Sequence, residues 1–119
     1  MSRDLLRSLV QLYVAVAYRP DRVIDVDEAD AIVAMLHAWL PPSEHASVED
    51  ELEAAIRLER RSEAMSVEGL VCGLRQGLDE AERALVFADL DRIALADGER
   101  SEPEAALIAL ARETWAAGC

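Results

Sequence analysis

Apolar residues in this chain recur every three or four positions, and polar cap signals cut the pattern into six segments. A period near 3.6 gathers apolar residues on one helical face, whereas a half-buried strand needs strict alternation. Leu5, Leu9, Leu12 and Val16, flanked by Leu6, Val10 and Tyr13, predict a first helix over 3–18. Ser2 caps it, and Pro20 stops it because the residue before proline avoids the α region. Asp25 opens a second helix bearing Ala29, Ile32, Val33, Leu36 and Leu40, which ends at Pro41-Pro42. A third, over about 47–62, carries Val48, Leu52, Ala55 and Ile56 on one face and spaces Glu53 and Arg57 as an i,i+4 pair. It is the most polar of the six and is expected to be the most exposed.

A short fourth helix follows Ser66 with Val67, Leu70, Val71, Leu74 and Leu78. Gly69, Gly73 and Gly77 fall on nearly one face of it, where another backbone can approach closely. Asp79 and Glu82 form a capping box for a fifth helix running to about Ala96. Its apolar residues, Leu85, Val86, Phe87, Leu90, Ile93 and Leu95, point nearly all round, so it is expected in the middle of a bundle. Asp89 and Arg92 are then expected to pair, because buried charges need partners. Gly98 reads as the C-terminal cap, and Ser101 with Glu104 reads as the box that opens a sixth helix to about Ala116. The expected fold is all-α, a single-domain bundle of about six helices over residues 1–119.

Charge narrows the function. The chain has 24 acidic residues against 12 basic ones, a net charge of −12, and every base is Arg. Nucleic-acid binding by phosphate neutralisation is disfavoured, as is adhesion to anionic lipid. Without Lys there is neither a Walker loop nor Schiff-base chemistry. No apolar run approaches the length of a membrane span and the start lacks a signal-peptide pattern, so a cytoplasmic protein without membrane insertion is expected. The two cysteines, Cys72 and Cys119, are not expected to form a disulfide framework, and Cys72 reads as a small core residue. His37 and His45 read as surface residues with no triad-like partner. No nucleophile elbow or glycine-rich phosphate loop occurs, so no enzyme is expected.

A shift of 76 residues aligns two helix–loop–helix units: Asp21 falls on Asp97, Asp25 on Ser101, Glu28 on Glu104, Ile32 on Ile108 and Trp39 on Trp115. Two acids, a cap and a Trp coincide, which suggests a pseudo-twofold bundle with Trp39 and Trp115 as core or near-core anchors. The run from Ala94 to Glu104, with Asp97-Gly98 and then Ser101 three residues before Glu104, resembles the signature of tellurite-resistance TerB-like domains. The segment Asp21 to Glu28 fits that family's looser N-terminal copy. Arg22 stands where that copy has Gly, and Arg100 where the second copy has an aliphatic residue. The resemblance implies an all-helical fold, a bacterial origin and a role in tellurite and other stress responses. It also implies acidic surfaces that take a divalent metal.

Asp21, Glu28, Asp97 and Glu104 are therefore the candidate metal ligands, an all-oxygen set suited to Ca²⁺ or Mg²⁺. The competing reading makes Glu28 and Glu104 capping-box residues and Asp21 and Asp97 turn caps. An EF-hand is excluded: counted from Asp21, the third and sixth positions are Val23 and Val26. Two functions follow. One is a non-catalytic stress-response domain with a cation on its acidic loops and no other cofactor. The other is an acidic helical module that docks a protein partner or forms a homodimer, without metal and without nucleic acid.

Overall fold

The computed structural model describes residues 1–95 and 102–119. Six α-helices are present among them: α1 (Arg3–Tyr18), α2 (Val26–His37), α3 (Ala46–Arg60), α4 (Val67–Gly77), α5 (Glu80–Ala94) and α6 (Glu102–Ala117). A single 3₁₀ turn, Pro42–Glu44, links α2 to α3.

The starts obey local chemistry. Ser2 Oγ accepts the Leu5 N–H at 3.2 Å and Ser66 Oγ accepts the Gly69 N–H at 3.1 Å. Asp25 and Asp79 each close a reciprocal capping box with the Glu three residues on. Ser62, at φ 56°, closes α3 in the left-handed region. Its N–H donates to the Glu59 carbonyl, and the next N–H, from Glu63, donates to Leu58. That pair of bonds satisfies carbonyls that the helix itself leaves open. The Gly98 cap and the Ser101 half of the last capping box lie outside the described residues.

The middle of the bundle is α1, not α5. Leu12 to Ala17 is buried all round, and α1 packs against each of the other five helices. The physical reason is charge. From Ser8 to Ala17 the chain carries no ionisable group but Tyr13, whereas α5 leaves Leu85 at the surface, and Leu95 is exposed just past its end. Within the buried stretch Leu12–Ala17 the backbone N–H and C=O groups lie inside a helix that pairs them, so burying its whole circumference leaves no backbone orphan there. The polar helix α3 is tied to α1 at two places. Arg3 and Arg7 donate to the buried Glu51 carboxylate at 2.9 and 3.3 Å, and Arg19 donates to Glu59 at 2.6 Å. Of the glycine face, Gly77 makes the close approach: a Cβ there would sit 2.8 Å from Leu5 Cδ1 on α1.

Cys72 and Cys119 are disulfide-bonded, with Cα atoms 5.6 Å apart. This corrects the expectation that no disulfide forms and that Cys72 is a core residue. Cys72 is half-buried on α4, and α6 packs along α4 and brings the chain end over it. A separation of 47 residues carries no hint of that proximity. The repeat is visible in the helices: α2 and α6 begin at the same 76-residue offset, and α1 packs on α6 as α5 packs on α2.

Candidate functional site

The acidic α1–α2 junction is built by the end of one helix and the cap of the next. Arg22, at φ 62°, turns the chain out of α1, its N–H donating to the Tyr18 carbonyl at 2.6 Å. Asp21 Oδ1 accepts the Val23 N–H at 3.4 Å. Asp25 Oδ1 accepts the Glu28 N–H at 2.8 Å, and Glu28 Oε1 accepts the Asp25 N–H at 3.4 Å. Two of the candidate ligands, Asp21 and Glu28, thus cap backbone, as the competing reading has it.

Capping does not settle the charge on Glu28. Its residue is only 9% exposed. Burial pushes its carboxyl up to about 7 from 4.5; the Asp25 N–H opposes that shift, while the charges of Asp25 and Asp21 add to it. Its carboxyl therefore holds a proton to a higher pH than an ordinary glutamate does. Glu104 stands at the equivalent place on α6 and is 8% exposed. Asp97 lies outside the described residues. Among the described residues, no group of three or more His, Cys, Asp or Glu side chains is arranged to hold a metal ion.

A second polar centre sits where the repeat axis should pass. Tyr13 on α1 donates its O–H to Asp89 Oδ2 on α5 at 2.6 Å, across the 76-residue offset of the repeat. Two equivalent positions facing each other is what a twofold relation produces. Trp39 Nε1–H donates to the same oxygen at 3.0 Å, and an Arg92 nitrogen stands 3.8 Å from Oδ1. Burial and the neighbouring carboxylate push the Tyr13 phenol up. The expected Asp89–Arg92 pair is present, yet Arg92 is the longest of three contacts and largely solvent-exposed. Asp89 also borders a shallow cleft floored by Ala31, Ala34 and Ala38, so pairing and cleft coexist.

Trp115 meets the expectation of burial at 6% exposure, with Phe87 edge-on at 5.9 Å. Trp39 is half-buried, with its ring nitrogen turned inward to Asp89. The histidines are not idle surface residues. Their rings stack at 4.0 Å, and His45 Nε2–H donates to the His37 and Leu40 carbonyls at 3.0 Å each. These contacts satisfy carbonyls at the end of α2. His37 Nε2 lies 3.5 Å from Glu49.

The partners of Asp89 were missed from sequence because Tyr13 and Trp39 read as apolar pattern members. The signal that finds them is the repeat itself, since Tyr13 and Asp89 are equivalent positions. No helix among the described residues is long and apolar enough to cross a membrane. No curated protein and no solved structure matches the chain. A family model described as Tellurite resistance protein TerB does match, over residues 5–115. That range covers α2 to α5 whole, nearly all of α1 and α6, and the acidic junction, and the chain therefore belongs to the TerB family.

Proposed function

We propose that this chain is a non-catalytic domain of the bacterial stress response whose acidic α1–α2 junction takes up a divalent cation loosely. The observation that carries the reading is Glu28: a capping carboxyl pushed up to about 7, with Asp25 and Asp21 as negative neighbours. A hard divalent cation relieves that crowding as a proton does, and two or three carboxylate oxygens suit Ca²⁺ or Mg²⁺. The described acids form no ready cage, so the cation is held weakly, with a dissociation constant of about 10⁻⁴–10⁻³ M. Asp97 and Glu104 complete the ligand set in this reading. The test is calorimetry with Ca²⁺ and Mg²⁺ at pH 7. Saturable heat that Glu28→Gln weakens supports it, and no binding in the millimolar range refutes it.

A second reading has a different observation behind it. Val23 and Val26 are 53% and 74% exposed, set among Asp21, Asp25 and Asp27. Apolar side chains ringed by acids suit a partner segment that is apolar and basic. Enrichment of such a partner that persists in chelator, and is lost in Val26→Asp, favours docking over the cation. A cytoplasmic location belongs to the proposal as well. Cytosolic thiol buffers oppose the Cys72–Cys119 bond, so thiol labelling in cells tests the compartment directly.

A further inference from the structure

One cleft of the bundle is lined by three arginines, in a chain of net charge −12. It measures about 480 Å³ and lies between the ends of α1 and α3 and the start of α4. Small-molecule pockets typically hold roughly 300–1,000 Å³. Arg19, Arg22 and Arg60 line it, with Glu59 as the sole acid among its lining residues.

The three arginines differ in what they do. Arg19 is committed: its Nε donates to both Glu59 oxygens, at 2.6 and 3.2 Å, and a terminal nitrogen donates to the Met65 carbonyl at 2.6 Å. Glu59 is thereby neutralised. Arg22 and Arg60 have no carboxylate partner among the described residues. The cleft thus presents two free guanidinium groups and no free acid. Ser62 and Ser66 add hydroxyls on the same wall, while Tyr18 and the exposed Met65 supply an apolar surface.

Backbone strain is concentrated here too. Three non-glycine residues have positive φ among the described residues, and two of them, Arg22 and Ser62, line this cleft. A left-handed conformation disfavours any side chain, by roughly 1–2 kcal/mol per residue. Holding an arginine at such a position sets the direction in which its side chain leaves the backbone, at the cost of local stability. Strain of this kind collects at ligand clamps.

We propose that this cleft binds a small molecule carrying a phosphate group and an apolar or aromatic body. Two guanidinium forks and two hydroxyls offer more donors than the two oxygens of a carboxylate accept, and they match the three oxygens of a phosphate monoester. Tyr18 and Met65 receive the apolar body. The cleft shares Arg22 with the acidic junction, but none of its lining residues is one of the cation's proposed ligands.

The experiment is titration calorimetry of the full chain with phenyl phosphate at low salt, with inorganic phosphate and benzoate as comparators. Phenyl phosphate is expected to bind more tightly than either comparator. Arg22→Gly and Arg60→Gln are each expected to weaken it about tenfold, the loss of one charge-assisted contact. Arg22→Gly accepts the positive φ, so its melting temperature should hold or rise, which separates a lost ligand from a damaged fold. Absence of heat with both phenyl and inorganic phosphate overturns the proposal. So does phenyl phosphate binding that both variants leave unchanged.

Discussion

Glu28 and Asp89 are both buried carboxyls near a helix, and the protein treats them in opposite ways. Asp89 is met by donors: the Tyr13 hydroxyl, the Trp39 ring N–H and, at longer range, Arg92. Glu28 is met by one backbone N–H and two further carboxylates. Burial itself is similar, at 2% and 9% exposure. The identity of the neighbours therefore decides whether a buried acid is held by donors or pushed toward its protonated form. Asp89 joins α1, the segment just after α2, and α5 through three side chains. Glu28 holds one helix end and keeps a titration in reserve.

Removing the better-supplied acid should cost most. Asp89→Ala leaves the Tyr13 hydroxyl and the Trp39 N–H without their acceptor inside the bundle. An expected loss of about 4 kcal/mol follows, read as a shift in the urea midpoint. A loss under about 1 kcal/mol would erase the distinction between the two carboxyls. Cutting the Cys72–Cys119 bond is the next largest change and touches neither acid. The Cys72→Ser, Cys119→Ser double variant should lose about 2–4 kcal/mol, because a 47-residue separation is freed in the unfolded chain. Its pH profile should stay parallel to that of the parent. A changed profile would mean that the tether on α6 also sets the environment of Glu28 or Asp89.

The contrast between the two acids was half legible in the sequence. The Asp25–Glu28 and Asp79–Glu82 boxes announce themselves because capping is local: the partners lie three residues apart and the geometry follows from the helix. Helix count and order were legible for the same reason. What long-range packing decides was not. The all-apolar look of the fifth segment pointed to the wrong central helix, since periodicity ranks faces within a helix but not helices against one another. The disulfide needed the α4–α6 contact. The basic cleft needed three helix ends to converge, and nothing local marks Arg22 and Arg60 as neighbours. The metal set remains divided, with Asp21 and Glu28 seen as caps and Asp97 outside the described residues.

Tyr13→Phe trims one donor from Asp89 and keeps the ring. Phenylalanine fills the same space, so the expected loss is that of a hydrogen bond to a charged group, about 2 kcal/mol. Trp39 still supplies one donor, which is why this loss should fall well short of that for Asp89→Ala. Equal losses in the two variants would mean that Tyr13 alone carries the network. A double-mutant cycle between Tyr13 and Trp39 measures how far the two donors reinforce each other.

Glu28→Gln is the smallest effect, and it is the one that grows with pH. The folded state raises this carboxyl from 4.5 to about 7, so it favours the protonated form. The stability this group contributes is fully present below about 4.5 and is lost as pH rises through 7. Glutamine keeps the capping role and cannot ionise. The variant should match the parent at pH 4.5 and exceed it at pH 8 by about 1–2 kcal/mol, the full linkage value being reduced by solvent at the rim of the site. Thermal unfolding at those two pH values reads the difference. Millimolar Ca²⁺ should close the gap at pH 8 by stabilising the parent alone, because a cation at the junction offsets the charge that glutamine removes. If the pH gap appears and Ca²⁺ leaves it open, Glu28 is a crowded cap and not a ligand. If no gap appears, the neighbours of Glu28 do not set it apart from Asp89, and the comparison between them fails.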